Sequence, residues 1–439
     1  MTTFGLRQEK WEQRSPVPDR GLRSGTSSTA QRVAELKEII CQQTSLLASS
    51  RFADRLRALV LTGSLARNEA TFVEEQGQWK LLGDVDVYLI VDRRAALPSQ
   101  TALRSLQEEI EGHLLDRGIA CPIGLGAVHP SYFRGLRPSI YSYELRTCGR
   151  VVWGEPDLLS LIPPFSSSDI PLEDAWRLLS NRMVEMLEIT GEVADRPDVL
   201  PTRVYYRTLK LYLDTATSFL VFAGAYEPTY RRRAERLVEL AQSDQWKDKS
   251  PFLLSRFAER IRACTEIKLN ARDQRDLPSA PASPAPGYTF WEEAVEYARL
   301  LWQWELSQLT AASSQTSNRE LMERWMRLQP FPQRLRGWLY VLRKLGWYRS
   351  FGNWPRWARR AWKASPRYWV YATAGELFLR LPCLLRTENG PPVDLNEEEL
   401  ASWLPAENGF ERDRTVPRWR ECAANIAWNY KQFLVDTRS

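Results

Sequence analysis

The sequence predicts an α+β fold. A mixed sheet with flanking helices is followed by a helical module and then by a Trp-rich, mostly helical C-terminal module. Three observations carry this expectation. Short apolar runs bounded by turn residues fall between Ala58 and Trp153, the mark of buried strands. From Leu172 onward apolar residues recur at i, i+3 and i+4, the mark of helices. Of 18 tryptophans, 14 lie after residue 240, which sets the C-terminal part apart in composition.

Residues 1–28 are polar, carry Pro16, Pro18 and a Gly-Thr-Ser-Ser run, and read as a loose arm. Residues 29–165 hold the α/β core. Thr29 to Ala48 has near-helical spacing; Ala58 to Leu61 is a buried strand ending in a Thr-Gly-Ser turn. Thr71–Val73 and Trp79–Leu82 flank Glu-Glu-Gln-Gly-Gln, a hairpin. Asp84 to Val91 is a strong strand, Ser99 to Asp116 a helix, and Pro122 to Val128 another strand. Ile140 to Val152 has strand character, clearest at Arg150 to Trp153. Residues 166–275 form a helical domain, 276–288 a Pro/Ala/Ser linker, and 289–439 a basic Trp-rich helical region.

The chain of 439 residues has room for two or three domains. With 44% apolar and 26% charged residues, global disorder is excluded. Lys and Arg number 60 against 54 Asp and Glu, a net +6 that matters only where it clusters. Two histidines, His113 and His129, rule out a multi-histidine metal site. The six cysteines are scattered without a CxxC pair, so neither structural zinc nor a disulfide framework is expected, and a reducing cytoplasm fits. No apolar run approaches the roughly 18–20 residues that span a bilayer, and no signal peptide is apparent. The expected location is cytoplasmic, with peripheral attachment at a membrane left open.

The stretch LVLTGSLARNEATF…LLGDVDVYLIV carries the chemistry. Residues two apart on a strand point to one side, so Asp84 and Asp86 set two carboxylates together. Two like charges beside a buried sheet repel, and a divalent cation relieves them; paired oxygen ligands suit Mg²⁺ or Mn²⁺. Gly63 and Ser64 stand between a strand and the start of a helix at Leu65. Backbone N–H groups and a hydroxyl at such a turn form an anion cradle. Metal-holding carboxylates opposite a phosphate cradle are the parts that nucleotidyl transfer needs.

This pattern resembles the DNA polymerase beta-like nucleotidyltransferase superfamily: a strand ending in Gly-Ser, a short helix, then a strand with Asp-x-Asp. Gly63-Ser64-Leu65-Ala66-Arg67-Asn68-Glu69-Ala70 is similar to the GSxARGEA form of its minimal and aminoglycoside-modifying members. Asn68 stands where that form has glycine, and asparagine tolerates φ > 0. The resemblance covers residues 55–92 and implies a nucleotidyltransferase-fold sheet. It implies that Gly63 and Ser64 hold phosphate and that Asp84 and Asp86 hold the metal. Ser64 and Asp84 lie 20 positions apart, more than usual, and the hairpin around Gly77 absorbs the excess. A third carboxylate normally sits on a neighbouring strand; Ile119 to Val128 has no acid, and Glu144 is the nearest substitute. Glu144 as an ordinary partner of Arg146 or Arg150 is the other reading. Arg67 touches phosphate or pairs with Glu69. Arg203, Arg207 and Lys210 share one helical face; the resemblance makes Lys210 a triphosphate contact, against a plain solvated face. Tyr226 to Arg233 is similar to a small-molecule nucleotidyltransferase edge or is a helix start after Pro228, where three arginines oppose the helix dipole.

Residues 324–375 contain twelve Lys and Arg, seven tryptophans and no acid. Three readings stay open: a helix face on an anionic membrane surface, a groove for single-stranded nucleic acid, or a helical domain with core tryptophans under arginines.

The expected function is a metal-dependent nucleotidyltransferase that moves an NMP from an NTP, ATP foremost, to an acceptor hydroxyl of a small molecule or carbohydrate. The alternative is a catalytically impaired nucleotidyltransferase-fold binding or regulatory protein. Its basic aromatic C-terminal region would attach it to a membrane surface or a complex.

Overall fold

The computed structural model describes residues 29–195, 200–270, 286–313, 316–346, 354–386, 397–406 and 416–433. The expected arm at 1–28, the linker up to residue 285 and Trp347 lie outside the described residues. The described chain is α+β. In order come α1 (Thr29–Phe52), β1 (Leu56–Thr62), α2 (Gly63–Ala66), β2 (Phe72–Glu75), β3 (Gln78–Leu81), β4 (Val85–Val91) and α3 (Gln100–Leu115). Then follow β5 (Ile119–Ala120), β6 (Ile123–Val128), α4 (Ser131–Arg134), α5 (Ile140–Cys148) and β7 (Arg150–Gly154). The rest is helical: α6 (Leu172–Asp195), α7 (Thr202–Phe222), α8 (Tyr230–Gln242), α9 (Leu254–Asn270), α10 (Pro286–Thr310), α11 (Asn318–Leu328) and α12 (Phe331–Leu345). It closes with α13 (Trp354–Lys363), α14 (Pro366–Phe378), α15 (Leu381–Arg386), α16 (Glu397–Trp403) and α17 (Arg418–Phe433).

Two compact units result. The first takes the described residues up to Pro171 with Gly224–Arg236 and Arg262 to Asn270; the second takes Leu172–Ala223, Leu237–Ile261 and the described residues from Pro286 on.

In the first unit a four-stranded sheet runs β6-β4-β1-β7. β1 is antiparallel to β4 and to β7, while β4 and β6 are parallel. Alternation divides β1 and β4 between two cores. Leu59, Leu61, Val85, Val87 and Leu89 pack with Leu36 and Ile40 of α1 and Leu106 and Ile110 of α3. Ala58, Val60, Tyr88 and Ile90 pack with Phe133 and Leu145 on the other face. This double cover is why both strands are apolar runs rather than half-polar ones. The hairpin β2–β3 joins β5 in a separate three-stranded sheet. Gln76 and Gly77, at φ 52° and 78°, make its turn, the backbone hand that suits the strand twist.

One segment departs from the sequence expectation. Ile140–Cys148 is a helix, and strand structure begins only at Arg150. Ser139 fixes the helix start: its side chain accepts from the Ser142 backbone N–H at 3.0 Å, an N-cap.

In the second unit Trp176 of α6 is the hub. Its ring centroid lies 6.0 Å from Trp302, 6.2 Å from Trp325, 6.1 Å from Tyr368 and 5.5 Å from Tyr371. The Trp302 indole N–H donates to Ser180 Oγ at 3.0 Å. Helices before and after residues 276–288 therefore share one core, and the expected division there does not separate two units. Trp325, Trp338 and Trp357 are buried as well. Trp338 and Trp357 donate their indole N–H to the Ala364 and Pro405 carbonyls, each at 2.9 Å. The core reading thus holds for these three rings of the basic aromatic region.

No helix among the described residues is long and apolar enough to cross a membrane.

Candidate functional site

The end of β1 and the start of β4 build the site. Thr62 is the register partner of Asp86. The next residue, Gly63, turns the chain at φ +72°. A Cβ placed there would lie 2.7 Å from Asp86 Oδ2. The left-handed backbone favours glycine there, and any Cβ would in addition push on the Asp86 carboxylate. Asp84 immediately precedes β4, and Asp86, two residues on, points by alternation to the side of the sheet that carries Ile90. That side is shared by Tyr88, whose ring lies 6.0 Å from Tyr132 and 6.4 Å from Tyr141. Burial above all raises the Tyr88 phenol well above its usual range, so it stays protonated at neutral pH.

Gly63, Ser64, Asp84 and Asp86 are half-buried, while Leu61, Thr62, Leu65, Val85 and Val87 beside them are buried. The polar groups therefore form a half-buried rim at one end of the two central strands. The turn is held from within: Glu69 N–H donates to the Ser64 carbonyl at 2.8 Å, and Arg67 N–H to the Gly63 carbonyl at 3.3 Å. Asn68 takes φ +60°, a left-handed backbone that asparagine tolerates, and Lys37 Nζ donates to its side-chain oxygen at 2.5 Å.

A divalent cation fits this donor set. Mg²⁺ takes one or two protein carboxylates and completes its shell with phosphate oxygens and water. Asp84 and Asp86 offer the pair, and the bare Gly63 backbone keeps the space beside Asp86 Oδ2 free of a side chain. Among the described residues no group of three or more His, Cys, Asp or Glu side chains is placed to hold a metal by itself.

Glu144 stands elsewhere than the expected neighbouring strand. It lies on α5, where Arg67 Nη1 donates to one carboxylate oxygen and Arg233 to the other. Tyr226 OH donates to that second oxygen at 2.7 Å. Its partners are therefore Arg67 and Arg233, not Arg146 or Arg150. Burial would raise the Glu144 pKa, but the two guanidiniums and the phenol outweigh it and hold the carboxyl below its ordinary value.

Arg67 is turned inward. Besides Glu144 it pairs with Glu69 at 3.1 Å and lies over the Tyr230 ring at 5.5 Å. The expected pairing with Glu69 is present. Glu69 also accepts from the backbone N–H of Tyr230 at 2.6 Å and, more weakly, of Arg231 at 3.4 Å. It thus closes the N-terminus of α8 with a negative charge, which answers the three arginines that oppose the helix dipole. Arg233 folds back, donating to the Glu227 carbonyl at 2.7 Å and lying over Tyr226 and Tyr230 at 4.8 and 5.0 Å. Thr71 extends the same clasp: it donates to the Lys268 carbonyl at 2.8 Å and accepts from Lys268 Nζ at 2.6 Å.

Lys210 belongs to α7 in the second unit, with Nζ 5.2 Å from the Tyr206 ring centre. On the same helix Arg207 pairs with Glu188 at 3.1 Å and Arg203 with Glu192 at 3.7 Å.

Sequence reasoning named the Arg67–Glu69 pair but missed the knot that Glu144, Tyr226 and Arg233 form with it. The signal was present in Arg231-Arg232-Arg233 at a helix start: cations there demand an acid from outside the helix. Comparison with family models, curated proteins and solved structures gives no significant match.

Proposed function

We propose that the first unit is a nucleotidyltransferase-fold module that binds a metal–NTP complex and transfers the NMP to an acceptor hydroxyl. The contact of Gly63 with Asp86 across β1 and β4 carries this reading. In it, Asp84 and Asp86 hold Mg²⁺ or Mn²⁺, which when bound neutralises charge on the triphosphate and on the departing pyrophosphate. The Gly63 backbone and the Ser64 hydroxyl take phosphate oxygens. The acceptor oxygen bonds to the α-phosphorus as the bond to pyrophosphate breaks. ATP is the proposed donor. A small molecule or carbohydrate is the proposed acceptor.

The position of Glu144 favours a second reading. With that acid held by Arg67 and Arg233, no third carboxylate among the described residues stands ready to take the acceptor's proton, and the module binds nucleotide without turnover. Pyrophosphate release separates the two. The protein is incubated with each α-labelled NTP, Mg²⁺ or Mn²⁺ and a metabolite extract. For the enzyme, we expect release that falls at least about 100-fold in Asp84→Asn with the fold intact. Silence with every donor, while nucleotide still binds, rejects turnover and leaves the binding reading.

A further inference from the structure

The second unit presents a surface that the nucleotide site does not use. α12 buries Trp338 and Val341 and turns a row of apolar side chains to solvent. Phe331, Leu335 and Leu339, spaced i, i+4 and i+8, are 51%, 46% and 50% exposed. Trp362, near the end of α13, is 74% exposed, and its ring meets Phe331 edge-on at 5.9 Å. A single exposed leucine is ordinary, but four large apolar side chains exposed along α12 and at the end of α13, two of them with rings in contact, are not.

The charge around this row has one sign. Arg336 and Arg343 are exposed on α12 beside the leucines, and Lys363 follows Trp362. Among the described residues no ion pair is recorded for these three. The acids nearest in sequence to this acid-free stretch, Glu320, Glu323 and Glu376, are paired with Arg324, Arg327 and Arg380. Arg334 ties the two helices together, donating to the Trp362 carbonyl at 2.6 Å. The row is thereby fixed on packed elements. A protein partner would offer acids in a matched pattern. A single-stranded nucleic acid would want ring faces open for stacking, yet the two rings here, Phe331 and Trp362, meet each other edge-on and the rest of the row is aliphatic Leu335 and Leu339.

We propose that the α12–α13 face docks on an anionic lipid surface. Phe331, Leu335, Leu339 and Trp362 enter the headgroup–acyl boundary, and Arg336, Arg343 and Lys363 meet the lipid phosphates. This attachment is independent of the nucleotide site.

Co-sedimentation of the full chain with vesicles tests it, using phosphatidylglycerol–phosphatidylcholine mixtures against pure phosphatidylcholine. Binding is expected to the anionic vesicles, weakening as salt rises. Arg336→Gln with Arg343→Gln should lower partitioning about thirtyfold at low salt, from a contribution of about 1 kcal/mol per cation. Leu335→Ser with Leu339→Ser should lower it also at high salt, where charge is screened. Asp86→Asn should bind like the parent chain. All these positions except Asp86 are exposed, so circular dichroism should show an unchanged fold. Three results would overturn the proposal: no binding to anionic vesicles, binding indifferent to both double substitutions, or a surface already covered. The last would show as a dimer that Leu335→Ser with Leu339→Ser dissociates. Salt-sensitive binding to RNA without binding to vesicles would overturn it as well.

Discussion

Glu144 shows what a carboxylate does when two buried guanidiniums close on it. It receives Arg67, Arg233 and Tyr226 at once, and its loss would leave two cations facing each other inside the protein. Glu144→Gln should therefore destabilise the fold by about 3–5 kcal/mol at pH 7, read by urea unfolding. The pH dependence has a definite sign. A carboxyl held below its ordinary pKa of 4.5 contributes fully above that value, and the contribution fades as pH falls through the lower folded value. The gap between parent and variant should thus be widest at neutral pH and narrow below about pH 4. Equal stability of the two at pH 7 would contradict the network. The sequence left this residue's partner open, because Arg67 and Arg233 lie 77 and 89 positions away and no local pattern joins them. Gly63 was legible for the opposite reason: a strand running into Gly-Ser states its turn within a few residues.

The short string from Gly63 to Thr71 fastens other elements to the sheet. Glu69 receives the first N–H groups of α8, and Thr71 receives the Lys268 ammonium near the end of α9. Glu69→Ala removes both the acceptor and the charge at a helix N-terminus, a loss of roughly 2 kcal/mol. Hydrogen exchange should show it as faster exchange at residues 230–236, with β1 and β4 little changed. Glu69→Gln, which keeps an acceptor oxygen, should lie between the two. Uniform acceleration over the whole first unit would argue against a cap. At this scale local signals read well where one pattern ruled. The hairpin turn at Gln76-Gly77 and the Ser99 start of α3 are where the sequence puts them. The Tyr141-Tyr143-Leu145 alternation imitated a strand, and the Ser139 cap prevailed over it.

Across the molecule, composition told of tryptophans but not of their use. Trp176, Trp302 and Trp325 form one core from helices far apart in sequence, whereas Trp362 lies open on the surface. Burial depends on which helices meet, and a Pro-rich stretch between them does not decide it. Apart from Ile140–Cys148 the α+β order of the chain was readable, because the strand runs end at Gly154 and helical periodicity rules from Leu172 on. The nucleotide reading rests on Gly63, Ser64, Asp84 and Asp86 acting together at one end of the central strands β1 and β4. Mn²⁺ binding followed by electron paramagnetic resonance, with and without ATP, tests this most directly. We expect ATP to tighten Mn²⁺ binding by the full-length protein. In Asp86→Asn that binding should weaken at least about tenfold while circular dichroism stays unchanged. Gly63→Ala, which crowds the same carboxylate, should weaken it too. Undiminished binding by Asp86→Asn, or none by the parent chain, would contradict the account.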